Sequence, residues 1–209
     1  MVAKNSLLRG VSVYLLFYLT TAYLLGSVMS GHIVGKIFGA VDIRQEGSGN
    51  VGARNAGRLL GKKAFILTFL GDALKGFLVV FVPVVLYNAT TAYILLGLAA
   101  AIIGHLKPIT LQFRGGKGVS TLIGGLVAFD YKVLLIMAAL FLVFYLLLRS
   151  FTLAGLFAIT GIPISMYITE YSIANCLLMF GIVLIIIFAH KDNVRDFLKR
   201  AGDTNGISL

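Results

Sequence analysis

The chain has 209 residues, 59% of them hydrophobic and only 12% charged, and its 18 Lys and Arg against 8 Asp and Glu leave a formal charge of +10. A mean hydropathy of +0.97 excludes an ordinary soluble domain, because a globule of this size could not hide so much apolar surface. A single cysteine, Cys176, excludes an internal disulfide.

Apolar runs that approach the ~20 helical residues needed to cross about 30 Å of hydrocarbon recur along most of the chain. They predict an all-α, polytopic membrane protein whose residues 1–209 form a single domain. Seven spans are expected, at 11–33, 64–87, 91–106, 119–130, 132–148, 153–170 and 173–189. Lys4 and Arg9 precede the first run as in a secretory signal, but no A-x-A-like cleavage site follows, so it reads as a retained span. The fourth run is short and has to tilt, thin the bilayer or extend into its neighbours. Cys176 falls inside the last run and reads as a small core residue.

Alternating the connections between the two sides gathers 14 of the 18 cations on one face. They are Lys36, Arg44, Arg54, Arg58, Lys62, Lys63, Lys107, Arg114, Lys117, Arg149, Lys191, Arg195, Lys199 and Arg200. The positive-inside rule makes that face cytoplasmic, with the N-terminus outside and the C-terminus cytoplasmic. The charges alone fit two roles, setting topology and binding anionic headgroups on one hand, and serving an inner-surface chemistry on the other. The glycine-rich and polar signatures lie on the same face, which favours chemistry there.

The first signature is Gly47-Ser48-Gly49-Asn50-Val51-Gly52-Ala53-Arg54-Asn55, a match to G-x-G-x-x-G. A dinucleotide fingerprint needs a preceding strand and an acidic residue ~20 positions on that can reach a ribose. Asp72 stands at that distance but inside an apolar run, and no βαβ pattern is present. What remains is a glycine nest whose backbone N–H groups can converge on an anion, with Ser48, Asn50, Asn55, Arg54 and Arg58 as surrounding donors. The second signature is Phe113-Arg114-Gly115-Gly116-Lys117-Gly118-Val119-Ser120-Thr121, which follows Gly104-His105-Leu106-Lys107-Pro108. It is not a Walker A loop, since Leu111 stands where the first glycine is required. A lysine framed by three glycines ahead of a helix still brings an ammonium, bare amides and a helix dipole to one small volume, a second phosphate site.

The third signature, Ala189-His190-Lys191-Asp192-Asn193-Val194-Arg195, closes the last span. His190, Asn193 and Arg195 or Asp196 fall within one helical turn, so imidazole and amide can share a face. Inside the spans, Asp72 and Lys75 are three residues apart and read first as a pair that anchors its helix. His105 lies just before its loop. Ionisable groups at such depth are also functional candidates.

The run GSVMSGHIVGKIFGAVDIRQEGSGNVGARN, then GDALKG, GHLKPITLQFRGGKGVST and HKDNVRDFLK, resembles the bacterial acyl-phosphate:glycerol-3-phosphate acyltransferase family, PlsY, over nearly the whole chain. The resemblance implies an enzyme of the bacterial inner membrane that moves a fatty acyl group from acyl phosphate to the 1-hydroxyl of glycerol 3-phosphate. The products are lysophosphatidic acid and phosphate. It implies as catalytic residues Ser48, Lys117, His190 and Asn193. Arg58 is implied as a phosphate holder, with Gly47, Gly49, Asn50, Asn55, Gly115, Gly116, Gly118 and Thr152 contributing to substrate binding. Two phosphate-bearing substrates agree with two glycine-and-cation loops. The chain departs from the family pattern at Arg54, where the family has a threonine, and at Gly155, where it has a second serine after the fifth span.

An acyl phosphate carries its own leaving group, so transfer to an alcohol needs positioning, charge stabilisation and a proton acceptor rather than a covalent enzyme intermediate. No nucleophile elbow is present, and His190 is either the base or a binder. The three histidines, His32, His105 and His190, lie in separate segments, so no metal and no cofactor are expected, and the partners are the two substrates and membrane lipids, with no nucleic acid. The rival class is a transporter or channel for a phosphorylated metabolite. It is disfavoured because anion-binding equipment sits on one side only and no inverted repeat is visible.

Overall fold

A computed structural model describes residues 2–195, with side chains from 13 onward. Every regular element among the described residues is helical. The chain divides into two compact units, Met1–Tyr131 and Lys132–Leu209.

The first unit holds α1 (Val2–Gly26), α2 (Ser30–Gly39), α3 (Ala53–Tyr87), α4 (Thr91–Leu106) and α5 (Val119–Phe129). Lipid is as apolar as the helices, so their association rests on close packing and buried polar contacts rather than on the hydrophobic effect. Both are present. A Cβ at Gly124 would fall 1.8 Å from the Ala73 carbonyl oxygen and one at Gly76 only 1.9 Å from that of Thr121, so α3 and α5 meet backbone to backbone. Gly104 and Gly26 do the same for α4 and α1, at 2.2 Å from Tyr23 O and 2.1 Å from Ala101 O. Across helices, the Tyr18 hydroxyl donates to Val79 O at 2.9 Å.

The expected first span, 11–33, is interrupted. Helix α1 stops at Gly26 and α2 starts at Ser30. Carbonyls released by such a break at membrane depth need partners, and they find them on α3 and beyond α4. Lys75 Nζ donates to Gly26 O at 2.9 Å and to Val28 O at 2.8 Å, and the Thr110 hydroxyl donates to Ser27 O at 2.6 Å. The same ammonium lies 3.0 Å from Asp72 Oδ1, the pairing expected from their spacing. The expected span 64–87 begins earlier, because α3 continues back to Ala53 through Gly61, whose φ of +83° breaks the helix. Polar residues hide this extension from a hydropathy reading.

The second unit holds α6 (Tyr131–Leu148), α7 (Phe151–Thr160), α8 (Ile162–Ile168) and α9 (Ile173–Ala189). The expected span 153–170 divides at Gly161 into α7 and α8. Ring packing joins α6 to α7, with Phe144 and Phe157 centroids 5.1 Å apart. Cys176 is buried, as read from sequence.

Among the described residues, five segments are long and apolar enough to cross a membrane: Val13–Gly39, Ala53–Tyr87, Thr91–Leu111, Tyr131–Leu148 and Phe151–Ile168. Two shorter apolar helices, Val119–Phe129 and Ile173–Ala189, stand where the fourth and seventh spans are expected. The protein is therefore a multi-pass helical membrane protein. Asp196, Lys199 and Arg200 lie outside the described residues.

Candidate active site

The first glycine loop is folded around one buried side chain. Gly47 and Gly49 adopt φ of +62° and +69°, a region that side chains bearing Cβ avoid. Their turn lets the Ser48 N–H donate to Asn55 Oδ1 at 2.9 Å, while Asn55 Nδ2 donates to the carbonyls of Ile43 and Glu46, at 3.0 Å each. Asn55 is only 1% exposed, and the described bonds of its amide go to the loop backbone. The Ser48 side chain is left at the exposed rim.

The loop ends at Gly52, which precedes α3 in an extended conformation and without a side-chain cap. Asn50 Nδ2 lies against Gly52, where a Cβ would come within 2.8 Å of it. Arg54 and Arg58 are exposed and one turn apart in this first stretch of helix. No acidic residue occupies the first turn of α3. Cations at the positive end of a helix dipole add to its attraction for an anionic ligand.

A fork braces the approach to this loop. Arg44 donates from Nε to both Asp42 oxygens at 3.0 Å, and its Nη1 reaches Leu111 O at 3.3 Å, in the second loop. The Arg44 guanidinium holds the Asp42 carboxyl well below the usual carboxylate range. Met29, Ile43, Val51 and Leu111 bury one another beneath both loops.

The second loop rests on His105. The Gly116 N–H donates to His105 O at 3.0 Å. A Cβ at Gly115 would fall 2.1 Å from that same oxygen, and one at Gly116 would fall 2.1 Å from His105 Nε2. Only glycine permits this approach. Gly118, with φ of +83°, then turns the chain into α5, whose N-terminus carries no side-chain cap. Lys117 is half-buried between them.

His190, Asn193 and Thr152 belong to the second unit. His190 terminates α9, is buried, and its Nδ1 lies 2.8 Å from Ile186 O. A carbonyl only accepts, so Nδ1 carries the proton and Nε2 holds the lone pair of the neutral ring. Asn193 is half-buried in the helical stretch that follows, residues 191–195. Thr152 lies in the first turn of α7, a helix that packs against α9. Within the first unit, the segment of Gly47, Ser48, Gly49, Asn50 and Asn55, which leads into the helix of Arg58, and the segment that leads to Gly115, Gly116, Lys117 and Gly118 share one apolar cluster through Ile43, Val51 and Leu111.

A family model described as Glycerol-3-phosphate acyltransferase matches residues 16–200. The chain belongs to the glycerol-3-phosphate acyltransferase family. It is 46% identical over 175 residues to Glycerol-3-phosphate acyltransferase 1 of Bacillus cereus strain ATCC 10987, covering 84% of this chain and 96% of that protein. The corresponding protein of Desulfitobacterium hafniense is 39% identical over 186 residues, covering 89% and 92%. Among solved structures, PlsY, an integral membrane glycerol 3-phosphate acyltransferase, matches in its glycerol 3-phosphate form with a TM-score of 0.82 and 34% identity, covering 89% of this chain and 92% of that one. Its lysophosphatidic acid form matches with a TM-score of 0.81 and 33% identity over the same shares.

Within this acyltransferase, the sequence reading did not foresee the partnership of His105 with Asp72, whose Nδ1 and Oδ1 lie 3.7 Å apart. The signal was present in part, as two ionisable residues in apolar runs, but their sequence separation hides the contact. Of the two departures from the family pattern, Arg54 is exposed and Gly155 has open space where a Cβ would stand. A serine would therefore fit at 155 without displacing a neighbour.

Proposed function

We propose that the chain transfers a fatty acyl group from an acyl phosphate to the 1-hydroxyl of glycerol 3-phosphate. The reaction takes place at the cytoplasmic face of a bacterial inner membrane. In this reading the chain crosses that membrane seven times, with its N-terminus outside and its C-terminus inside. The observation that carries the reading is the pair of glycine loops. Each opens onto a helix N-terminus without a side-chain cap, each brings a cation, and both are seated on the same buried cluster. Such a pair suits two phosphate-bearing molecules held side by side while an acyl tail stays in lipid.

Arg58 and Lys117 hold phosphate, Ser48 donates at the rim of the first nest, and His190 with Asn193 grips glycerol 3-phosphate. The 1-hydroxyl oxygen attacks the acyl carbon, a new C–O ester bond forms, and the bond from that carbon to the phosphate oxygen breaks. Nε2 of His190, its lone pair free of the proton held by Nδ1, orients the attacking hydroxyl. The hydroxyl proton ends on the departing phosphate. Each backbone or side-chain donor on the developing oxyanion contributes roughly 2.7–4 kcal/mol of barrier lowering.

The test is to incubate purified protein with palmitoyl phosphate and glycerol 3-phosphate and to measure lysophosphatidic acid, with acyl-CoA as a parallel donor. Product from acyl phosphate alone is expected. Radiolabelled acyl group trapped covalently on the protein would exclude direct transfer.

A further inference from the structure

Three charged or ionisable side chains sit in the interior of the first unit, beyond the residues assigned above. Asp72 is fully enclosed on α3, Lys75 is 3% exposed one turn along, and His105 is 2% exposed at the end of α4. Burying such groups in a lipid-embedded bundle is unfavourable unless they serve one another or a site. Lys75 serves Asp72 and the break between α1 and α2. His105 has a different placement. Its Nδ1 faces Asp72 Oδ1 at 3.7 Å, and the opposite edge of the ring, at Nε2, lies directly under the Cα of Gly116. Its own carbonyl receives the Gly116 N–H at 3.0 Å. The Asp72 carboxylate faces one edge of the ring and the loop backbone the other. A chain of contacts thus runs from the break in the first span through Lys75, Asp72 and His105 to the residue before Lys117.

We propose that His105, enclosed between Asp72 and the Gly116 backbone, is a positioning residue that fixes the 115–118 loop so that Lys117 meets a substrate phosphate. The inference rests on the reading of Lys117 as a phosphate holder. A loop with three glycines around one lysine is loose by itself, since glycine carries the largest conformational freedom. One rigid ring beneath it removes that freedom without occupying the mouth of the site. The ring acts on substrate binding through the loop and touches no reacting atom.

The experiment is steady-state kinetics on the full-length protein in detergent, varying glycerol 3-phosphate and acyl phosphate in turn, for His105→Gln and His105→Asn, with unfolding midpoints recorded on the same samples. A positioning role raises the KM of one phosphate-bearing substrate about tenfold or more, changes kcat less than about threefold and keeps the midpoint. Unchanged KM values for both substrates overturn the proposal. So does a joint fall of kcat and midpoint with KM intact, which is what a ring of purely structural value gives. If neither His105 variant folds, Asp72→Asn takes their place, because it alters the group that faces the far edge of the ring and touches no residue assigned to substrate. The same rise in KM is expected there, and a normal KM overturns the proposal. Lys117→Ala is measured in parallel. Near-normal turnover in that variant removes Lys117 from the site and the functional reading with it, whereas an inactive Lys117→Ala beside kinetically normal His105 variants overturns the positioning role alone.

Discussion

Ser48 and Asn55 are joined by one hydrogen bond of 2.9 Å, from the serine backbone N–H to the asparagine Oδ1, and that bond sets the shape of the first glycine loop. The Asn55 amide also receives no help from solvent, being 1% exposed. Asn55→Ala leaves three loop backbone groups without their partner, so it should lower stability by about 1–3 kcal/mol and reduce kcat/KM by roughly tenfold or more. Asn55→Asp should do no better, since a carboxylate cannot donate to the carbonyls of Ile43 and Glu46. Thermal unfolding and steady-state kinetics on both variants check this, and a stable, active Asn55→Ala would show that the loop holds its shape without the amide.

Lys117→Ala should abolish turnover while the protein remains extractable and folded. The lysine lies on a loop and is half-buried. Removing a charge-assisted donor to phosphate should lower kcat/KM on the order of 10²–10³-fold. Rates within a few fold of the unmodified enzyme would disprove the assignment.

His190 offers a test of which ring nitrogen matters. Because Nδ1 is committed to Ile186 O, the proposed role in orienting the hydroxyl falls to Nε2. His190→Gln places an amide near the Nε2 position and should retain more activity than His190→Asn, whose amide reaches only the Nδ1 position. Losses of roughly 10²–10⁴-fold are expected for His190→Ala. Equal activity in the Asn variant would refute the role of Nε2.

Gly124→Val targets the α3 and α5 seam. With a Cβ only 1.8 Å from Ala73 O, the helices must separate, a change that should destabilise by about 1–3 kcal/mol or more. Gly155→Ser, where no atom lies within 4 Å of a Cβ, should leave the unfolding midpoint unchanged. Midpoints of the two variants in the same detergent decide the matter.

Asp42 gives a pH prediction with a definite sign. Its folded-state pKa is depressed, chiefly by the hydrogen bonds from the Arg44 side chain. The stabilisation is therefore fully present above the ordinary carboxylate value of ~3.9 and is lost as pH falls below it. Loop stability should be flat between about pH 5 and 8 and decline only in stronger acid. Asp42→Asn should remove that acid limb and release Arg44 from its fork. Hydrogen exchange of the 41–50 backbone as a function of pH measures both effects.

Much of the architecture was legible because apolar length dominates a membrane helix: 91–106 is read from the sequence with the bounds of α4, and 132–148 within one residue of α6. The breaks were not. The interruption at Ser27 to Met29 depends on Lys75, which is 46 residues from its nearest anchor, Met29, and the kink at Gly61 is masked by Lys62 and Lys63 beside it. At the site, the glycine loops announced themselves through composition. Asn55 was read as a donor beside a nest, whereas its described bonds go to the loop's own backbone, because a buried amide and an exposed one look alike in a string of letters. His105 stayed obscure for the same reason as Lys75, since the partner is on another helix.

The seam between α3 and α5 has a consequence for how such a protein can change. Where Gly76 and Gly124 bring main chain against main chain, no side chain stands between the helices to be exchanged for another. Helix α5 starts directly after the loop that carries Lys117, so the seam and that loop share one helix. Substitutions can accumulate on surfaces such as Leu135, Leu142 and Leu146, which are 58–68% exposed, but drift at the seam has no side chain to absorb it.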